Sequence, residues 1–169
     1  MHIRWWWLSF VVLLALLSAD ILSSIDNLPA IVANHFNASG VADGTTSRTT
    51  HVALMLFTVN FVALITAGST ALVSKLPPDL INLPNKDHWL SVDQRDRTFA
   101  FMQKWGILMG AATAAFMWHL HQKLVAANQL QPPVLENFWM SLGVFLAFTV
   151  VMIAILMMRF RAPRKPISG

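Results

Sequence analysis

The chain has 169 residues, 56% of them hydrophobic and 12% charged, with no cysteine and a formal net charge of +4. A domain of this size exposes too much of its surface to hide so much apolar area in one core, so a mean hydropathy of +0.55 excludes an ordinary soluble protein and names the lipid bilayer as partner. The absent cysteines exclude disulfides and thiolate metal sites, and the basic residues collect at segment ends, where topology accounts for them without nucleic acid.

A membrane crossing takes ~20 apolar residues at ~1.5 Å each. Four stretches qualify, at about 5–25, 51–74, 105–122 and 135–158. The expected fold is an all-α membrane protein: four transmembrane helices in one bundle, a single domain over 1–169, and an ordered extracytoplasmic loop after the first helix. The first stretch follows a basic start, Met1 to Arg4. Its apolar run is longer than the ~7–15 residues of a signal peptide, so it is expected to stay as an uncleaved anchor.

Asp20 falls in the outer third of this first span, on a face shared with Leu13, Leu16, Ser23, Ser24 and Asn27. A carboxylate at that depth faces the bundle or a wet cavity as a functional group, or caps and snorkels at the helix end. The stretch LPAIVANHFNASGVADGTT, 28–46, comes next. Pro29 stops the helix from continuing, Gly40 and Gly44 permit tight turns, and Asn34, His35 and Asn37 present polar groups.

In the second span Ala63, Ala67 and Ala71 recur at a spacing of four, with Asn60 on the same face as an interhelical hydrogen-bond donor. The loop KLPPDLINLPNKDHWLSVDQRDRTF, 75–99, contains Ser91 and Gln94 at capping-box spacing, so the third helix is expected to start near Val92. Asp87, Asp93 and Asp96 can pair with Arg95 and Arg97 there. Gly106, Gly110 and Ala114 form a small-residue ridge on the third helix, and Gly143 and Ala147 one on the fourth. Such ridges let backbones approach closely in lipid, where apolar burial alone does not drive association.

Orientation follows from the cations. Arg4, the middle-loop residues Lys75, Lys86, Arg95, Arg97 and Lys104, and the tail residues Arg159, Arg161, Arg164 and Lys165 fall on one side; the other loops hold only Arg48 and Lys123. The positive-inside rule places both termini in the cytoplasm. Trp5, Trp6, Trp7, Trp89 and Trp105 then fall at the inner boundary, and Trp118 and Trp139 near the outer one.

His35, His51, His119 and His121 all lie on the outer side, with Asp20, Asp26, Asp43 and Glu136. His121 continues the Gly110/Ala114 ridge and should point inward, while His119 points elsewhere. Convergence of His35, His121 and Asp20 would suit zinc or copper, or a proton relay. No HExxH and no histidine pair at i, i+4 is present, and interfacial histidines ordinarily serve as polar anchors.

Leu28-Pro29, Ile31-Val32, His35-Phe36-Asn37, Gly40 and Asp43-Gly44 resemble the LPxxIPxHFNxxGxxDG signature of the SdpI-like membrane family. Ala33 stands in place of the second proline. The segment NLPNKDHWLSVDQRDRT is similar to the NIPNxDYWL stretch of four-span members, with His88 in place of tyrosine. The resemblance covers about a quarter of the chain. It implies a non-enzymatic bacterial inner-membrane protein whose relatives protect the cell from a secreted toxic peptide, one of them also signalling by holding a repressor at the membrane. The implied partners are a secreted peptide or toxin outside and a cytoplasmic regulator inside, with no cofactor. The implied cap is Pro29, His35, Phe36, Asn37, Gly40 and Asp43, with Asp20 beneath. The cap acts either as a ligand-binding loop or as a lid, with His35 expected over the bundle mouth, nearer to Asp20 than to His119. A metal-binding or proton-relaying protein, a small transporter and an accessory subunit of a larger membrane complex are the other classes.

Overall fold

The computed structural model describes residues 3–162, so Met1, Arg164 and Lys165 lie outside the described residues. In chain order the elements are α1 (Ile3–Ser23) extended by a 3₁₀ turn (Ser24–Asn27), strands β1 (Ile31–Phe36) and β2 (Ala42–Ser47), α2 (Arg48–Val73), a 3₁₀ turn (Pro78–Leu80), α3 (Lys86–Trp89), α4 (Arg95–Ala127) and α5 (Phe138–Arg159). The molecule is mostly helical, but not all-α. The two strands form an antiparallel hairpin between α1 and α2, running from Ile31 opposite Ser47 to Phe36 opposite Ala42, with an irregular register between Ala33 and Phe36. β-Branched Ile31, Val32, Thr45 and Thr46 suit a pleated, half-buried surface.

Among the described residues three helices are long and apolar enough to cross a membrane: α1 with its 3₁₀ turn, α2 and α5. The remaining expected span, 105–122, lies within α4, which starts at Arg95, close to the expected Val92, and continues past 122 to Ala127. Its lower apolarity has a structural cause. Gly106, Gly110, Ala114 and His121 are buried against other helices, and a face that meets protein does not need long aliphatic side chains.

The expected capping box is not formed. The Ser91 hydroxyl donates to the carbonyl of His88 at 2.8 Å, so it is engaged by the preceding turn and leaves the start of α4 uncapped by a side chain. Gln94 occupies the N-cap position, and the backbone N–H of Arg95 reaches Ser91 O. Nor do Asp87, Asp93 and Asp96 pair with the arginines. Among the described residues the ion pair within 4 Å is His35–Asp43, and the cations here use aromatic faces, Arg95 over Phe99 and Arg159 4.2 Å from the Trp89 centroid.

The tight core is built by α1, α2 and α4. Phe10, Leu14, Leu17 and Ile21 meet Val52, Val59, Ala63 and Ala67, with Ile107, Ala114 and Val125 closing the cluster. The ridges of α2 and α4 face each other: a Cβ added at Gly110 would sit 2.7 Å from Ala63 O and 3.3 Å from Ala67 Cβ. Asn60 donates across to Ser18 Oγ at 2.9 Å, the interhelical bond its position predicts. The third ridge behaves differently. Gly143 has no neighbour within 4 Å of an added Cβ, Ala147 is exposed, and α5 buries only Met152 among its side chains. α5 lies along α4 through stacked Phe116 and Phe145 and a Trp105 indole bond to Met152 O.

Candidate functional site

The hairpin closes one end of the helix core, and each motif residue has a definite task there. Leu28 is buried, and Pro29 follows it where the chain leaves the 3₁₀ turn in an extended conformation. The tip is organised by Asn37, whose Oδ1 accepts from the backbone N–H groups of Ser39 and Val41. Gly40 completes the turn at φ +80°, a left-handed conformation that favours glycine. A Cβ at Gly40 would also meet Leu135 O at 2.5 Å. Gly40 O accepts from Leu135 N at 2.8 Å, and Val41 bridges to Val134, so the tip is stitched to the segment before α5.

Two further clamps hold the hairpin. Asn128, just past α4, accepts from Ala33 N at 2.7 Å and donates to Ala33 O at 2.9 Å. The Trp139 indole N–H on α5 donates to Ala38 O at 2.9 Å. Between tip, α4 and α5 lies a cleft of about 860 Å³, walled by His35, Phe36 and Asn37 on one side and by Leu124, Phe138 and Trp139 on the other.

His35 stands at the rim. Its Nδ1 lies 2.5 Å from Asp43 Oδ1, and its side chain is 74% exposed. Gly44 lies opposite it across the strands and leaves room for the ring. His35 is therefore turned outward and paired within its own hairpin, while the Asp20 carboxylate is held from α4. The irregular register between Ala33 and His35 breaks the alternation that would place both on one face: Val32 and Ala33 are buried and His35 is exposed. Because exposed ion pairs contribute only about 0–1 kcal/mol, His35→Ala should leave the thermal midpoint in detergent nearly unchanged. A large drop by circular dichroism would make His35 an architectural residue.

Asp20 is bound elsewhere. Its Oδ2 accepts from Trp118 Nε1 at 2.7 Å and Gln122 Nε2 at 2.5 Å, tying α1 to α4. His121 points inward as the ridge predicts and is fully buried. Its Nε2 lies 2.7 Å from Ser24 Oγ, and its ring stacks on that of His51 with centroids 5.4 Å apart. His119 points out to Ser141 on α5. His35, His121 and Asp20 thus have three separate sets of partners, and among the described residues no three His, Cys, Asp or Glu side chains come together as a metal site.

Sequence reasoning missed Asn128, Trp139 and the pairing of His51 with His121. A signal for the last existed: stepping back by four from Ala63 reaches Val59, Met55 and His51, while the α4 ridge runs on to His121. Both cations on this side also have local tasks, since Arg48 donates to the carbonyls of Ile25 and Leu28 and Lys123 to that of Glu136.

Residues 7–59 match a family model described as Domain of unknown function (DUF1648). The matched segment runs from Trp7 in α1 through the whole hairpin to Val59 in α2. It therefore includes every motif residue of the cap and one half of the buried histidine pair, while Asn128, Trp139 and His121 lie beyond it. No curated protein and no solved structure matches the chain.

Proposed function

We propose that the protein is a non-enzymatic, four-span bacterial inner-membrane protein that binds a secreted peptide or toxin in the cleft beneath the hairpin tip, acting in immunity or sensing. The observation that carries this reading is the composition of that cleft. His35, Phe36, Asn37 and Gly40 of the SdpI-like signature line one wall, and Phe138 and Trp139 of α5 line the other. An aromatic-walled cleft with a few polar groups at its rim suits short apolar segments of a peptide. The DUF1648 match supports the unity of α1, hairpin and α2 and carries no activity of its own.

In this reading both termini and the α2–α4 connection face the cytoplasm, where a regulator would dock, and the hairpin faces outward. The cation asymmetry supports it: Lys75, Lys86, Arg95, Arg97 and Lys104 flank one end, while Arg48 and Lys123 on the other are occupied with backbone carbonyls. Single cysteines at Ser39 and Ser91, in this cysteine-free chain, should label oppositely, Ser39 from outside with an impermeant maleimide and Ser91 only after permeabilisation. The reverse pattern would sink the external cleft. The functional test is growth of a strain lacking the protein against peptides secreted by itself and its neighbours. Protection should return with the wild-type chain and fail with Phe36→Asp, which leaves the rim intact but puts a charge in the apolar wall. Equal growth of the deletion strain under every such peptide would refute immunity.

A further inference from the structure

Separate from the cleft, the stacked pair of His51 and His121 lies deep between α2 and α4, 2% and 0% exposed. The Ser24 hydroxyl already donates to Ile21 O at 2.7 Å, so toward His121 Nε2 it acts as acceptor and that nitrogen carries the ring proton. His121 Nδ1 is then an uncovered lone pair. It is buried with no hydrogen-bond partner, and so is Nε2 of the adjacent His51. Buried polar atoms are almost always paired, and each exception calls for an explanation. A neutral imidazole nitrogen held this way has the electronic character of a metal ligand.

A second, independent feature points the same way. Met55 stands one turn deeper than His51 on α2, and Met117 one turn deeper than His121 on α4, so each helix offers a His/Met pair at i, i+4. The helices run antiparallel, which brings the two pairs to similar depth, and both methionines pack against the buried core cluster. The donors on offer are imidazole and thioether, with no thiolate and no carboxylate bound to the rings. The thioethers are soft donors and imidazole also suits copper, so this neutral set favours Cu(I)-like ions over hard or strongly charged ones. Asp20 completes the charge balance. Its carboxylate is held by Trp118 and Gln122, which bracket His121 on α4. One negative charge matches a monovalent ion and would leave a divalent one uncompensated in a low-dielectric surround.

We propose that His51 and His121, with the thioethers of Met55 and Met117 beneath them, form a binding site for one soft monovalent cation of the Cu(I)/Ag(I) class. Two metal–imidazole bonds of about 2 Å each span roughly 4 Å between nitrogens, a distance that rings with centroids 5.4 Å apart reach by side-chain rotation. The experiment uses the full chain in detergent and Ag(I) as the probe, because it is redox-inert and the chain has no cysteine to compete. After gel filtration against a weak competitor, elemental analysis should find one Ag(I) per chain and a raised thermal midpoint, whereas Zn(II) at the same concentration should be lost. His51→Phe and His121→Phe should each abolish stoichiometric retention. Met55→Leu with Met117→Leu, a nearly volume-conserving change, should keep the fold and weaken retention at least about tenfold. Failure of the wild type to retain Ag(I), retention undiminished in the folded histidine variants, or equal retention of Zn(II) would each overturn the site. Should the histidine variants not fold, the methionine pair decides: unaltered Ag(I) affinity there refutes it.

Discussion

Gly110→Leu should produce a large fall in thermal stability, and Gly143→Leu essentially none. The two glycines hold comparable places in apolar helices and in small-residue ridges, but their surroundings differ. At Gly110 the first added carbon already meets the Ala63 carbonyl oxygen at 2.7 Å, with Phe10 Cζ at 3.2 Å and Ala67 Cβ at 3.3 Å. The nearest of these is backbone, so relief requires α2 and α4 to separate, and separation unpacks the main interface of the molecule. Overpacking of this kind costs about 1–3 kcal/mol, and more where the backbone cannot yield. Gly143 has open space around it, and a helix interior favours leucine over glycine by roughly 0.5–1 kcal/mol. Thermal melts in detergent, followed by circular dichroism, separate the cases. Equal loss in both variants would mean that α5 packs through its ridge after all, against a second copy or another chain.

That contrast also shows where the sequence is informative. Spacing by four identified the faces of α2 and α4 that touch, because close backbone approach leaves a compositional mark, small residues in register. The same mark on α5 has no packing behind it here, since Gly143 and Ala147 are exposed. Small residues permit a contact without requiring one. Hydropathy placed the apolar parts of the helices well but ended α4 near 122, because the last turn before Ala127 follows a polar His-Gln-Lys stretch that reads as loop. The hairpin stayed hidden for another reason. Its second strand, ADGTTS, is polar and half-exposed, with an alternating burial pattern that follows from pairing with β1 and from no hydrophobic periodicity of its own. Turn chemistry was the legible part: Asn37 and Gly40 do make the tip. The turn that Asn37 and Gly40 make within their own segment was readable, whereas the pairing of His35 with Asp43 was not. Residues whose partners are about 70–100 residues away were not readable either: the His51–His121 stack, the Asp20–Trp118 bond and the Asn128 clamp all depend on the docking of α4.

The Asn128 clamp yields the second large effect. Ala33 is only 3% exposed, so its backbone N–H and C=O have no water to turn to. The Asn128 side-chain amide satisfies both, at 2.7 and 2.9 Å, as a neighbouring strand would, at the place where the β1–β2 register becomes irregular. Asn128→Leu, similar in size, should leave both groups buried and unpaired, at about 1–3 kcal/mol for each. Ala33→Pro tests the same clamp from its other side. Proline stands here in the SdpI-like signature and has no N–H to donate, so this change removes one bond and leaves the C=O partnered; its cost should be the smaller of the two. The double variant should fall short of the sum, because both changes remove the same Ala33 N–H bond. Hydrogen exchange reads the effect locally: amides of β1 and β2 should lose protection in Asn128→Leu while those in the middle of α2 keep theirs. Loss of the hairpin would also take away one wall of the cleft, so under the proposed function protection against a secreted peptide should disappear in this variant although the helices still assemble. Unchanged hairpin exchange in Asn128→Leu would mean that the tip contacts through Gly40, Val41 and Ala38 suffice, and that the amide clamp is dispensable.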